Sequence, residues 1–503
     1  MPNYGKKYYT YLDEFPEQKV GIQFCEHTIK EILKNYDKES LFRTFSSIAQ
    51  SLGLGNDYES ILAYQQLQFN IHPNRNIILI HRLAVNVVFQ YLFSTEDEEF
   101  GNRKDVLPND IKLLFLCANQ LTEFVENETL DIAKSIGKKL FFTSIKTILF
   151  SNTKDDLQGG FMLFKKYYLK IINLNMELYN SVIKDKYGFE ISDYVKILEL
   201  IEQRNYPKVF ELFDKYAIVE FNKTYQYWEA RQPKFAIPKE LAFLQKYPLI
   251  KINDEYLVTD IHNLLSSLFK NLYRTLLEYD NISFKGDFGK HIVEPTIIDL
   301  IKERFVDENV KALKVGSKKI EYGDFGLLYD DSIFLFEIKS SLMNDASVFT
   351  DNYEAFMKIF NDKFVIKEGI RQQVKKIQLI DNNLEHFCSL SGIDPNIKYT
   401  IYPIMLSFDE SLMSICCNWY LSMRFEVFRK LCKLHLHSIK LANCHSTITF
   451  NELYRMLYIE REPSERLKLL KMYSDDINKD PVSISFYLQE LGVFKMITAN
   501  NGK

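Results

Sequence analysis

Through most of residues 1–235, apolar side chains recur near a 3.6-residue period, which predicts a mainly helical segment. "HTIKEILKNYDKESLFRTFSSIAQSLGL" and "GGFMLFKKYYLKIINLNMELYNSVIKDKYGF" show the pattern, with Gly or polar breaks between the periodic runs. "RQPKFAIPKE", with two prolines, marks a boundary near residue 235. Beyond it, "YPLIKINDEYLVTD" predicts a short strand pair, followed by a helix from about His262 to Tyr279.

From Asn281 the pattern changes. "GKHIVEPTIIDLIKERF" predicts an amphipathic helix with Pro295 in its first turn, where a missing N–H is harmless. "VKALKV", "KKIEYGDFGLLY" and "SIFLFEIKS" predict three strands. A helical region follows, then the helix "GIRQQVKKIQLIDNNL" and the strand "KYTIYPIMLSF". The order α-β-β-β-α-β predicts an α/β fold, a mixed sheet with flanking helices. After about Leu412 the pattern returns to helix. The expected organisation is a mainly helical domain over 1–235 and a connecting strand–helix segment over 236–280. An α/β core over 281–410 and a helical C-terminal extension over 411–503 complete it.

One hairpin carries charge where an unbroken apolar run would serve. In "YGDFGLLYDDSIFLFEIKSS", a two-residue turn at Asp330 and Asp331 pairs Tyr329 with Ser332 and sets Asp324 opposite Glu337. Opposed residues share a face at Cβ separations of ~4.5–5.5 Å. Lys339, two residues beyond Glu337, lies on that same face. Two opposed carboxylates are unfavourable unless a cation offsets them, and Lys339 offsets only one. A divalent ion such as Mg²⁺ or Mn²⁺ suits the pair, because hard cations take carboxylate, water and phosphate oxygens together. An acid–metal–lysine set beside a phosphate fits phosphodiester hydrolysis.

These residues resemble the PD-(D/E)XK, or restriction-endonuclease-like, nuclease superfamily over about Asn281 to Phe408. The resemblance rests on Gly323–Asp324 followed by Glu337-Ile338-Lys339, with Gly323 standing where the motif name has proline. It implies a nuclease core in which Asp324, Glu337 and the Ile338 backbone carbonyl bind metal and Lys339 assists the attacking water. Glu294, on the preceding helix, matches the family's frequent extra acid and further ligand. Gln373 matches its helical glutamine, sharing a stripe with Ile370, Ile377 and Ile380, with Gln372 second. The implied activity is a metal-dependent endonuclease, with DNA the favoured substrate. Residues 1–235 would recognise a target or a partner protein, mediate self-association or hold the nuclease in check. An effector of a microbial restriction or anti-phage defence system is one expected setting. An RNase and a catalytically silent scaffold of the same fold are the alternatives.

The 503-residue chain, 46% hydrophobic and 26% charged, has material for two or three domains. A net charge of −4 means that a nucleic-acid partner must meet a local basic patch. Lys318, Lys319, Arg371 and Lys375, with Lys376 beside them, lie nearest the motif in sequence and are candidate phosphate contacts. Arg429 and Lys430 belong to a second basic stretch. Seven scattered cysteines do not form a disulfide framework and, with no signal peptide, point to the cytoplasm. The most apolar run, Ile77 to Phe93, is interrupted by His81, Arg82, Asn86 and Gln90 and so reads as a buried helix.

Other motifs carry less. "GDFG" occurs twice, without the glycine-rich and catalytic loops a kinase needs. There is no Walker A sequence. "CKLHLHSIKLANCH" lacks the ligand spacing of a usual zinc site, and Cys432 reads as core.

Overall fold

The computed structural model describes chiefly residues 7–53, 77–132, 165–203, 249–260, 286–340, 353–409 and 417–476, with short gaps inside these ranges. The chain divides into two compact units. One comprises Met1–Lys139, Phe150–Asp280 and Phe349–Asp351. The other comprises Leu140–Leu149, Asn281–Val348 and Asn352–Lys503. The main break falls at Asn281, where the hydrophobic pattern changes. The proline-bearing stretch 231–240 and the helix expected over 262–279 lie outside the described residues, apart from Leu276 and Tyr279.

The first unit is mainly helical. The strand β1 (Lys7–Tyr8), helices α1 (Tyr11–Glu14), α2 (Ile22–Leu33) and α3 (Lys38–Gly53), and strand β2 (Ile77–Ile78) come first. Helices α4 (Arg82–Ser94) and α5 (Pro108–Ile132) follow, then α6 (Glu177–Tyr187) and α7 (Ile191–Glu202). Phe42, Phe45, Phe89, Phe93 and Phe115 pack ring against ring between α3, α4 and α5. The polar breaks in the Ile77–Phe93 run have structural work. Asn86 donates to Asp260 at 3.0 Å, and Arg82 pairs with the same carboxylate. The expected strand pair is present as the antiparallel β3 (Leu249–Ile252) and β4 (Glu255–Val258). Among the described residues no helix is long and apolar enough to cross a membrane.

The second unit is mixed α/β. Helix α8 (Glu294–Phe305) precedes strands β5 (Val310–Leu313), β6 (Phe325–Tyr329) and β7 (Ser332–Lys339). Helices α9 (Tyr353–Asn361), α10 (Ile370–Asn382) and α11 (Leu384–Ser391) lead to β8 (Thr400–Ser407). Then come α12 (Cys417–Leu431), β9 (Lys440–Leu441), β10 (Ser446–Thr449), α13 (Phe450–Leu457) and α14 (Pro463–Asp476). The sheet order is β10-β8-β7-β6-β5, with β9 also paired to β8. β5, β6 and β7 are antiparallel neighbours, whereas β8 runs parallel to β7 through the helical crossover.

Two features differ from the sequence reading. The segment after Leu412, expected to be a helical extension, supplies β9 and β10 to the same sheet. The strand expected across "KKIEYGDFGLLY" begins only at Phe325; before it, among the described residues, Glu321 bridges to Gly316 and the Tyr322 N–H donates to the Val315 carbonyl at 2.8 Å. The Ser317 backbone N–H donates to the Ile320 carbonyl at 2.8 Å.

β7 sits at the centre, and every residue from Ser332 to Ile338 is buried. This explains its apolar run, since a strand covered on both faces has no solvent side. On one face, Phe334 stacks on Tyr402 and Phe336 on Phe325. Lysines of α8 and α14 lie over these and neighbouring rings: Lys302 over Phe325, Lys468 over Tyr329 and Lys471 over Tyr402. The other face, with Glu337 and Lys339, meets α10.

Candidate functional site

The hairpin register is the one expected. Tyr329 pairs with Ser332 and Phe325 with Phe336 across a turn at Asp330 and Asp331. Asp330 takes φ 53°, the left-handed conformation that a tight turn requires and Asp tolerates. One step beyond the ladder, Asp324 faces Glu337. Its N–H donates to the Phe336 carbonyl at 3.1 Å, and its Oδ2 accepts the Ile338 N–H at 2.6 Å. The first bond fixes the Asp324 backbone and the second its carboxylate. A Cβ at Gly323 would lie 2.7 Å from Leu335 Cδ1, so a larger residue there obliges the Leu335 side chain to shift.

Glu337 is the hub. Its side chain is 3% exposed, and each oxygen meets a different ammonium. Lys339 Nζ lies 2.7 Å from Oε1, and Lys376 Nζ lies 2.7 Å from Oε2. Lys376, on α10, also reaches Glu321 Oε1 at 2.6 Å and Asp324 Oδ1 at 3.3 Å. Lys339 donates in addition to Gln372 Oε1 at 3.0 Å. Buried charges persist only when paired in this way.

Glu294 opens α8 directly after a π-helical turn, Phe288–Val293. Such turns re-aim the residues that follow them. Burial raises the Glu294 carboxyl above its usual range, and the nearby charges of Glu321 and Glu337 push it the same way. Burial also raises Asp324 to about 7, with Glu337 adding to the effect, against the opposing pull of Lys376. Glu321 moves the other way, because its hydrogen bond and charge contact with Lys376 outweigh desolvation. The carboxylates around Lys376 hold its ammonium protonated above the usual lysine range, against the effect of burial.

Glu294, Asp324, Glu337 and Lys339 thus come together. Gln373 is buried, as its apolar stripe predicts, but neither atom of its amide has a hydrogen-bond partner. The glutamine that meets Lys339 is Gln372. Sequence reasoning missed two members of the cluster. Glu321 stands three residues before Asp324, and Lys376 stands four after Gln372, the spacing that puts two residues on one helix face. Lys376 had the appearance of a phosphate contact, yet it is buried among acids. Of the candidate phosphate contacts, Lys319, Arg371, Lys375 and Lys430 are exposed, and Arg429 pairs with Glu426 at 2.9 Å. Lys318 and Cys432 lie outside the described residues.

The donor chemistry suits a hard cation. Four carboxylates (Glu294, Glu321, Asp324, Glu337) against two ammoniums leave a formal charge of −2, the deficit one divalent ion would fill. The raised carboxyls of Asp324 and Glu294 express the same deficit, a proton being held where positive charge is short. The present geometry points the acids elsewhere. Among the described residues, no three His, Cys, Asp or Glu side chains are arranged to hold a metal, and Glu321, Asp324 and Glu337 converge on the Lys376 nitrogen.

Comparisons with protein-family models, curated proteins and solved structures return no match for this chain.

Proposed function

We propose that the second unit is a metal-dependent phosphodiesterase, a nuclease of the PD-(D/E)XK type acting on DNA. The observation that carries the reading is the pairing of Asp324 with Glu337 at the end of a buried hairpin, with Lys339 bonded to Glu337 at 2.7 Å. Asp324, Glu337, Glu294 and the Ile338 carbonyl would hold Mg²⁺ or Mn²⁺. The ion, when bound, supplies Lewis-acid polarisation of a phosphoryl oxygen and a more acidic water. Lys339, steadied by Glu337 and Gln372, orients the attacking water and offsets charge developing on the phosphate. Lys319, Arg371 and Lys375 present exposed cations for the nucleic-acid backbone.

One observation favours a second reading. Lys376 seated among three acids also suits a self-neutralised cluster in a catalytically silent scaffold. The two readings part on a cleavage assay. Plasmid, linear duplex, single-stranded DNA and RNA are incubated with Mg²⁺ or Mn²⁺, beside an EDTA control. Metal-dependent cutting of DNA is expected, and cutting of RNA alone would make the protein an RNase.

A further inference from the structure

The place where the acids converge is taken by a side chain of the protein itself. Lys376 Nζ lies within 3.3 Å of Glu321, Asp324 and Glu337, and the side chain is only 9% exposed. An ammonium and a divalent cation cannot both occupy the centre of that set, because their mutual repulsion at such separation is not screened by water.

We infer that Lys376 is a built-in competitor for the metal, and that a divalent ion enters only as Lys376 swings out of the carboxylate cluster. The inference rests on the metal-dependent reading above. The route out is marked by Glu321. It is the outermost of the three partners, with a side chain 59% exposed, and it already holds Lys376 at 2.6 Å. It precedes Tyr322 and Asp324, whose N–H groups bond the Val315 and Phe336 carbonyls, and its own backbone tie is the bridge to Gly316. Lys376 can therefore leave Asp324 and Glu337 while keeping its bond to Glu321. The freed oxygens of Asp324 and Glu337 are those the ion needs, while Lys339 keeps Glu337 Oε1 and Gln372. Lys376 and Glu321 withdraw as a neutral pair, and the −2 formal charge left by Glu294, Asp324 and Glu337 against Lys339 is offset by the arriving divalent ion.

The test uses the full chain and Mn²⁺ alone, followed by electron paramagnetic resonance titration of wild type and Lys376→Met. Methionine keeps an unbranched stem and removes the charge. Lys376→Met should bind Mn²⁺ at least about tenfold more tightly than wild type, as the loss of a close like charge from a poorly solvated site requires. Equal or weaker binding by the variant overturns the role of Lys376 and leaves the metal-dependent reading standing. Absence of Mn²⁺ binding by both proteins at millimolar concentration overturns both. If Lys376→Met fails to fold, wild type decides. Acetylation of Lys376 by an N-hydroxysuccinimide ester, read by peptide mass spectrometry, should rise several-fold when Mn²⁺ is added. Labelling that stays constant would contradict the exchange.

Discussion

Lys376 Nζ lies 2.7 Å from Glu337 Oε2, and so a helix that follows the hairpin neutralises an acid in its central strand. With Lys339 of the same strand on the other oxygen, Glu337 makes two ion pairs, and the one with Lys376 joins β7 to helix α10. Glu337→Gln keeps the shape and removes the charge, leaving two ammoniums with less compensation. The variant should lose about 3–5 kcal/mol of stability, the range for breaking a buried pair. Urea unfolding checks this, and a loss below about 1 kcal/mol would mean the cluster is far wetter than its burial implies.

Asp324 makes a pH-dependent contribution of definite sign. Its folded carboxyl titrates at about 7, above the ordinary value of 3.8, so the native state holds the proton more tightly than the unfolded chain does. The resulting stabilisation is present below the ordinary value and is lost as pH rises from about 4 through 7. Glu321, shifted downward, contributes in the opposite direction. Denaturant unfolding from pH 4 to 8 should therefore show a falling component in wild type that Asp324→Asn lacks. Parallel curves for the two proteins would refute the assignment.

The two adjacent glutamines should behave differently. Gln372 bonds Lys339, so Gln372→Ala should reduce cleavage with little effect on folding. Gln373 buries an amide with no hydrogen-bond partner, a loss of about 1–3 kcal/mol relative to a satisfied or apolar group. Gln373→Leu should then leave stability unchanged or raise it, as thermal melting would show. A marked destabilisation would indicate a partner for Gln373 that the structure does not contain.

How much of this was legible in the sequence depended on whether the signal was local. The hairpin register followed from one turn and a period of two, both contained within the stretch Tyr322 to Ser341. The burial of Gln373 followed from its helical stripe. Which glutamine meets Lys339 did not, because the contact lies at the stripe's edge and depends on how α10 lies against β7. Lys376 was illegible for the same reason, since a lysine beside Lys375 looks solvated until Glu321 is placed across from it. β9 and β10, two and four residues long, are too short for their period to separate strand from helix.

Gly369 starts α10 where no side chain fits. A Cβ built there would fall 1.7 Å from the Phe364 carbonyl oxygen. Gly369→Ala must displace the helix that carries Gln372 and Lys376, and should destabilise by at least about 1–3 kcal/mol. It should also reduce cleavage, although Gly369 touches none of the charged groups. Wild-type unfolding and cleavage would show that the start of α10 yields freely.

Cleavage by wild type beside Lys339→Ala decides whether Asp324, Glu337 and Lys339 form the metal-dependent nuclease site proposed above. Wild type should cut DNA with Mg²⁺ or Mn²⁺, EDTA should abolish cutting, and folded Lys339→Ala should be slower by at least about 100-fold. Equal cutting by the two proteins, or no cutting of any nucleic acid by folded, metal-loaded wild type, would contradict that assignment.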